Sequence, residues 1–87
     1  MKVQLHNADI GDLFVTVQDL NTQNQDTVFN SRLNKNDVKD IDIQEDGNGK
    51  GSVQWNATRA DDPQKTANRT EYDLDNLASV DITTSFG

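Results

Sequence analysis

Apolar and polar residues alternate with a period of two along most of this 87-residue chain. Successive side chains of a β-strand point to opposite faces, so this alternation is typical of strands with one buried and one solvated face. Seven segments show the pattern, and apolar residues at helical spacing are not sustained over three turns anywhere, which predicts an all-β chain. The residues predicted to face inward are Val3, Leu5, Leu13, Val15, Val17, Phe29, Leu33, Ile41, Ile43, Val53, Trp55, Tyr72, Leu74, Val80 and Ile82.

Turn-forming residues separate the alternating segments. The main breaks are Gly11-Asp12, Asn21–Gln25, Asn34–Asp37 and Asp46–Gly51. Seven short strands at this spacing predict one domain over residues 1–87, a small antiparallel β-sandwich of the immunoglobulin-like kind. A small β-barrel is the alternative.

Two connections carry specific expectations. Asp46–Gly51 contains Asp-Gly and Asn-Gly dipeptides between two alternating segments, which predicts a β-hairpin turn. Arg59–Arg69 is the longest interruption and contains Pro63, which has no N–H to donate to a strand ladder. It is predicted to be a surface loop.

Two short echoes in the sequence raise the question of an internal repeat. Asn36–Ile43 is similar to Asp75–Ile82, and Val3–Leu5 is similar to Val53–Trp55. The two echoes have different offsets, whereas repeat architectures keep a fixed period. Chance similarity is therefore the favoured interpretation.

The composition excludes several function classes. Acidic residues outnumber basic ones by 15 to 8, which gives a net charge of -7, and hydrophobic residues are only 32% of the chain. A negative field repels phosphate, so nucleic acid and anionic membranes are poor partners. Cysteine is absent, which removes disulfides, thiolate metal sites and cysteine nucleophiles. No apolar run has the length of a signal peptide or a membrane span, so the chain as written is expected to be soluble and cytoplasmic.

Catalytic motifs are missing from the sequence. The single histidine, His6, falls on the outward face of the first segment, and no serine lies in a nucleophile motif. A chain of this length also leaves little room for a cleft of several hundred Å³. We therefore expect a non-catalytic module with no catalytic or cofactor-binding residues.

Calcium is the one cofactor worth considering, because carboxylate and amide oxygens are its usual ligands and the predicted turns are rich in them. Asp46 and Asn48 imitate the first and third positions of a calcium loop. Lys50, however, stands at a ligand position, and Ala57 stands where a bidentate Glu is required. A glycine-rich turn is the favoured interpretation of this segment.

A second calcium-like pattern occurs twice. Asp75-Asn76-x-x-Ser79 is similar to the calcium signature of the βγ-crystallin family, and Asn36-Asp37-x-x-Asp40 is a looser copy. The resemblance implies paired sites at the loop ends of the sheets, although the aromatic and glycine pattern of that family is missing. The candidate metal ligands are Asp37, Asp46, Asn48, Asp75 and Asn76.

Phe14 breaks the alternation, because it lies between Leu13 and Val15 and so points to the polar face. An aromatic side chain there indicates the interior of the other sheet, a subunit interface or a ligand contact. Trp55 alternates with Val53 and Ala57, which indicates a core position instead of a sugar platform.

Protein–protein association or a structural role is the first functional expectation. It would use an exposed edge strand or the surface that bears Phe14, with a protein partner or a second copy of the chain. The alternative is a calcium- or carbohydrate-binding module that uses the Asx-rich turns.

Overall fold

The computed structural model of the chain describes residues 1–85 and contains seven β-strands and no helix in that range. The strands are β1 (Lys2–Asn7), β2 (Leu13–Asp19), β3 (Thr27–Leu33), β4 (Val38–Asp42), β5 (Gly51–Arg59), β6 (Thr66–Leu74) and β7 (Ser79–Ile82). They form a three-stranded sheet of order β4-β1-β7 and a four-stranded sheet of order β3-β2-β5-β6. The predicted all-β class and the number of strands are confirmed.

Neighbouring strands are antiparallel except β1 and β7, which run parallel. The expectation of a wholly antiparallel arrangement is therefore wrong at this pair. β7 starts at the end of the molecule where β1 also starts, and the backbone N–H of Leu77 donates to the carbonyl of Lys2 at 2.6 Å. The two strands consequently leave that end in the same direction.

The strand order also departs from that of an immunoglobulin domain. A constant-type domain has its strands in the orders 1-2-5-4 and 3-6-7, whereas this chain has 3-2-5-6 and 4-1-7. The number of strands and their division into four and three are shared, but the connectivity is not. The described strands form two separate sheets with free edges and not one closed barrel.

The inward faces of the two sheets form one hydrophobic cluster. Its buried members are Val3, Leu5, Leu13, Val15, Val17, Leu33, Ile41, Ile43, Val53, Trp55, Ala57, Val80 and Ile82. Trp55 is fully buried. Twelve of the fifteen residues predicted to face inward are in this cluster, and Phe29 and Leu74 pack against it half-buried.

Tyr72 is the one inward prediction that is wrong, because its side chain is 68% exposed. The register between β5 and β6 shifts at this point, where Gly51 pairs with Leu74 but Val53 pairs with Glu71. The extra residue on β6 forms a bulge, at which Asp73 has a φ of 56°. A bulge re-aims neighbouring side chains, so alternation cannot be continued through it.

The predicted hairpin at Asp46–Gly51 is also wrong, because β4 and β5 belong to different sheets. The turn itself exists: the N–H of Gly49 donates to the carbonyl of Asp46 at 3.1 Å, and Gly49 has a φ of 76°. The segment 43–50 carries the chain from one sheet to the other. The hairpins are β2–β3 and β5–β6, and since β6 begins at Thr66, part of the predicted loop 59–69 is strand.

One three-strand unit occurs twice. Both β2-β3-β4 and β5-β6-β7 consist of a hairpin in the four-stranded sheet and a third strand that crosses over to flank β1. The turns before the third strands match: Asn36 and Leu77 both have a φ of 69°. Asn36 and Leu77 are 41 positions apart, whereas the echo between Asn36–Ile43 and Asp75–Ile82 has an offset of 39, so the echo overlaps topologically equivalent elements but lies two residues out of their structural register.

A buried polar network closes the end of the molecule where β1 finishes. Asp9 and Arg59 are buried, and the Asp9 carboxylate accepts hydrogen bonds from the Thr84 backbone and hydroxyl, both at 2.6 Å. Burial acts to raise the pKa of Asp9, but the bonds from Thr84 and Ile10 and the charge of Arg59 outweigh it, so that this pKa lies below its ordinary value. Arg59 also pairs with Asp61 at 2.9 Å. The charges are thus neutralised where they are withdrawn from water.

Replacing Trp55 with alanine should destabilise the domain by about 3–5 kcal/mol, because the indole fills the centre of the core. Replacing Tyr72 with alanine should change the free energy of unfolding by no more than about 0.5 kcal/mol, since its ring is exposed. Urea unfolding of both variants measures this. Equal losses would contradict the orientation of β6.

Replacing Asp9 with alanine should cost about 3 kcal/mol near pH 7, because Thr84 and Arg59 lose a buried carboxylate partner. Because the folded-state pKa is depressed, the contribution of Asp9 is fully present above about pH 3.9 and is lost as the pH falls further. The difference in free energy of unfolding between the Asp9→Ala variant and the unsubstituted chain should therefore become smaller as the pH falls below about 3.9. The exposed Asp40→Ala variant is the control, and a gap that does not change with pH would contradict the assignment.

Candidate functional site

The outer face of the four-stranded sheet contains three complete rows of four residues, one residue from each strand, and the exposed Tyr72 continues it on β6 beside the bulge at Asp73. In the order β3, β2, β5, β6 the rows are Thr27-Gln18-Gln54-Thr70, Asn30-Thr16-Asn56-Asn68 and Arg32-Phe14-Thr58-Thr66. None of the twelve is Asp or Glu, and Arg32 is the one charged residue. We call this set the neutral face.

The antiparallel register produces the neutral face directly. Residues that pair across two antiparallel strands share a face of the sheet. Thr16, Asn56 and Asn68 are paired in this way across β2, β5 and β6, and their neighbours Val15 and Trp55 point into the core. All twelve side chains are exposed or half-buried.

Phe14 lies on the neutral face and is 52% exposed. Its outward direction is confirmed, and the interior of the other sheet is excluded as its surroundings. The guanidinium of Arg32 lies 5.7 Å from the centre of the Phe14 ring, within the range of a cation–π contact. Arg32 is held there by Asp12 at 2.6 Å and by the side chain of Asn34 at 2.8 Å. The ring and the cation therefore form an ordered corner of the face.

The outer face of the three-stranded sheet differs in charge, and we call it the acidic face. Its residues are Lys2, Gln4, His6, Val38, Asp40, Asp42, Ser79 and Asp81. Three of these eight are aspartates. His6, which faces outward as predicted, contacts Asp81 at 3.1 Å in an exposed pair. Both outer faces consist of outward strand positions of the same chain. Neither strand geometry nor average composition therefore explains why one face carries aspartates and the other carries none.

Four of the five predicted metal ligands lie at one end of the molecule, where segments 43–50 and 75–78 meet at Lys50. The Lys50 ammonium pairs with Asp75. This hydrogen bond, together with the charges of Asp75, Asp73 and Asp46, raises the pKa of Lys50 above its ordinary value. At the predicted metal site, the positive charge next to these aspartates is therefore the Lys50 ammonium.

The oxygens of the predicted ligands are largely used within their own turns. Asp46 accepts hydrogen bonds from the backbone N–H groups of Lys50 and Asn48, which lower the pKa of Asp46. Asn76 accepts the N–H of Lys2 at 2.9 Å, and Asn48 is exposed in the turn.

Asp37, the fifth predicted ligand, lies at the opposite end of the strands. Its carboxylate accepts the N–H of Asn34 at 2.9 Å. Within residues 1–85 no three His, Cys, Asp or Glu side chains form a group that could hold a metal ion.

Two open clefts lie at opposite ends of β2. One, of about 420 Å³, is lined in part by Asp19, Asp26, Asp42 and Glu45. Both Asp19 oxygens accept backbone N–H groups, from Asn21 at 3.0 Å and from Gln44 at 2.7 Å. The expectation that a chain of this length leaves little room for a cleft of several hundred Å³ did not consider open clefts between connecting segments, which is where these two form.

The second cleft, of about 360 Å³, has Asp12, Arg32, Lys35 and Asp61 in its wall. Asp12 accepts the backbone N–H of Lys35 and the guanidinium of Arg32, and these two bonds hold the pKa of Asp12 below its ordinary value. The two carboxylates and two cations of this cleft neutralise one another.

The neutral face is the surface whose chemistry stands apart from the rest of the chain. Threonine hydroxyls and Asn or Gln amides both donate and accept hydrogen bonds, and Phe14 adds an apolar contact. Sequence reasoning identified Phe14 but missed the other eleven residues. On β2, β3 and β5, the signal that could have found them is the absence of acidic residues from the predicted outward positions. On β6 no such signal exists, because Thr66 and Asn68 fall in the predicted loop 59–69 and the outward positions predicted after it are Glu71 and Asp73.

The part of the chain that the structure describes contains no helix long and apolar enough to cross a membrane. Comparison of the chain with protein-family models, with curated proteins and with solved structures finds no match.

Proposed function

We propose that the two sheets pack as a β-sandwich and that the domain is a non-catalytic protein–protein interaction module. Its contact surface is the neutral face. The observation that carries the proposal is the charge distribution: 15 acidic residues are present in the chain, and none lies among the twelve residues of this face.

Acidic side chains are costly at a surface that becomes covered. Removing a carboxylate from water costs several kcal/mol unless it finds a partner. Amide and hydroxyl groups can instead exchange bonds to water for bonds to the partner, and protein interfaces are depleted in Asp and Glu at their centres. A surface of Thr, Asn and Gln around Phe14 has no carboxylate to bury, and its polar groups can form hydrogen bonds with the partner.

Strand propensity alone does not explain the neutral face. Asp is disfavoured in β-strands, and Thr is favoured there. Yet Asp40, Asp42 and Asp81 occupy outward strand positions on the acidic face of the same molecule. The chain therefore accepts aspartate on strands, and the neutral face differs because of what it contacts.

A carbohydrate-binding module is the alternative that one observation favours, because rows of amides and hydroxyls beside an exposed ring also suit a neutral sugar. The surface involved is then the neutral face and not the Asx-rich turns. Calcium binding by those turns stays a prediction, and it would have to displace Lys50 from Asp75.

A photo-crosslinking phenylalanine analogue at position 14 tests the proposal, with the same analogue at position 38 as the matched control. Phe14 and Val38 are 52% and 54% exposed and lie on the neutral and acidic faces respectively. In an extract of the producing cells, or with the purified chain alone, we expect a discrete protein adduct from position 14 only. Asn56→Asp should remove that adduct. Adducts from position 38 alone, or equal adducts from both positions, would contradict the proposal.

The two alternatives are separated by thermal unfolding of the purified chain. A ligand that binds only the folded state raises the midpoint by an amount set by RT ln(1 + [L]/Kd). The proposal predicts the same midpoint in calcium and in chelator, and no change with neutral oligosaccharides. A midpoint raised by calcium, or by an oligosaccharide in a way that Asn56→Asp abolishes, would support the corresponding alternative instead.

A further inference from the structure

We infer that the partner of the neutral face is the neutral face of a second copy of this chain. This inference rests on the proposed function, since it names the partner for the same surface. It is carried by the charge distribution, by the hydrogen-bonding chemistry of the twelve residues and by the position of the remaining acids.

The charge distribution favours a partner that is itself acidic. Carboxylates would attract a basic partner, so binding to a basic partner does not explain why this contact surface lacks carboxylates. Two copies that each carry a charge of -7 repel one another wherever acidic surfaces meet. Contact through the neutral faces puts the acidic faces on the outside of the pair, with both sandwiches between them.

The chemistry of the neutral face is self-complementary. A carboxylate only accepts hydrogen bonds and an ammonium only donates them, so neither group pairs well with a copy of itself. An amide does both, and Gln18, Asn30, Gln54, Asn56 and Asn68 are all on this face. A symmetric dimer buries the same patch on both subunits, so it requires this property.

The size of the face sets the expected strength of the contact. Four strands about 4.8 Å apart and four residue steps of about 3.4 Å give a grid of roughly 14 by 14 Å. That grid covers about 200 Å² per copy, well below the roughly 800 Å² per partner of a standard specific interface. The association is therefore weak and reversible, and it is measured at high protein concentration.

Thr16 and Asn56 are paired in the middle row on the two central strands, so they lie at the centre of the face. In a symmetric contact the centre of one face meets the centre of the other. A charge introduced at position 16 of both copies then faces a like charge, which should weaken the dimer by about tenfold or more.

Sedimentation equilibrium of the purified chain, from about 10 µM to about 1 mM, measures the association. We expect Thr16→Asp alone and Thr16→Lys alone to be monomeric, and an equimolar mixture of the two to associate again. The controls are Gln4→Asp and Gln4→Lys, which make the same charge changes on the central strand of the acidic face. Thermal unfolding of each variant checks that it is folded, and recovery in the mixture cannot arise from misfolded chains.

The salt dependence gives an independent readout. Because like charges remain on both copies, added salt screens their repulsion and should tighten the neutral-face dimer. Weakening by salt would mean that opposite charges hold the copies together, and it would overturn the inference. So would equal effects of the changes at positions 4 and 16.

A chain that stays monomeric throughout excludes the second copy as the partner. In that case the proposed function still stands if position 14 crosslinks to a different protein and position 38 does not. If neither position crosslinks, the proposed function fails as well.

Discussion

The in-register pairing of β2 with β5 is the constraint on which the rest of the structure depends. These two central strands place Val15, Val17 and Trp55 in the core and Thr16 and Asn56 on the neutral face. A slip of one residue would exchange the two faces of a strand, exposing its apolar side chains and burying its amides. The register is therefore fixed by burial, and the neutral face is fixed along with it.

Around this pair the chain distributes its charge unequally. Most carboxylates lie on the acidic face or in the connecting segments, where Asp9 and Asp46 accept backbone N–H groups and Asp75 pairs with Lys50. Many of the carboxylates thus stabilise turns, and the aspartates of the acidic face point into solvent. What remains is one broad sheet face whose groups can bond to an uncharged surface without the cost of burying an ion.

Local alternation was sufficient to predict the core, since Val53, Trp55 and Val80 lie where a period of two places them. It failed where the ladder is irregular: the bulge at Asp73 turns Tyr72 outward. Strand pairing is non-local, so neither the parallel β1–β7 contact nor the separation of β4 from β5 could be read from turn residues. Phe14 was identifiable because it broke a pattern. The polar residues beside it either follow the pattern or, like Thr66 and Asn68, lie in the predicted loop, and they become a surface only when four strands align.

Backbone amide NMR spectra of the purified chain, compared between about 20 µM and about 1 mM, test the central claim most directly, because each strand position reports separately. The account predicts that shifts and line broadening with concentration are confined to the outward positions of β2, β3, β5 and β6, centred on Thr16 and Asn56. Signals from Gln4 and Asp40 should stay unchanged. Changes centred on the acidic face or on the connecting segments, or no changes at all, would contradict it.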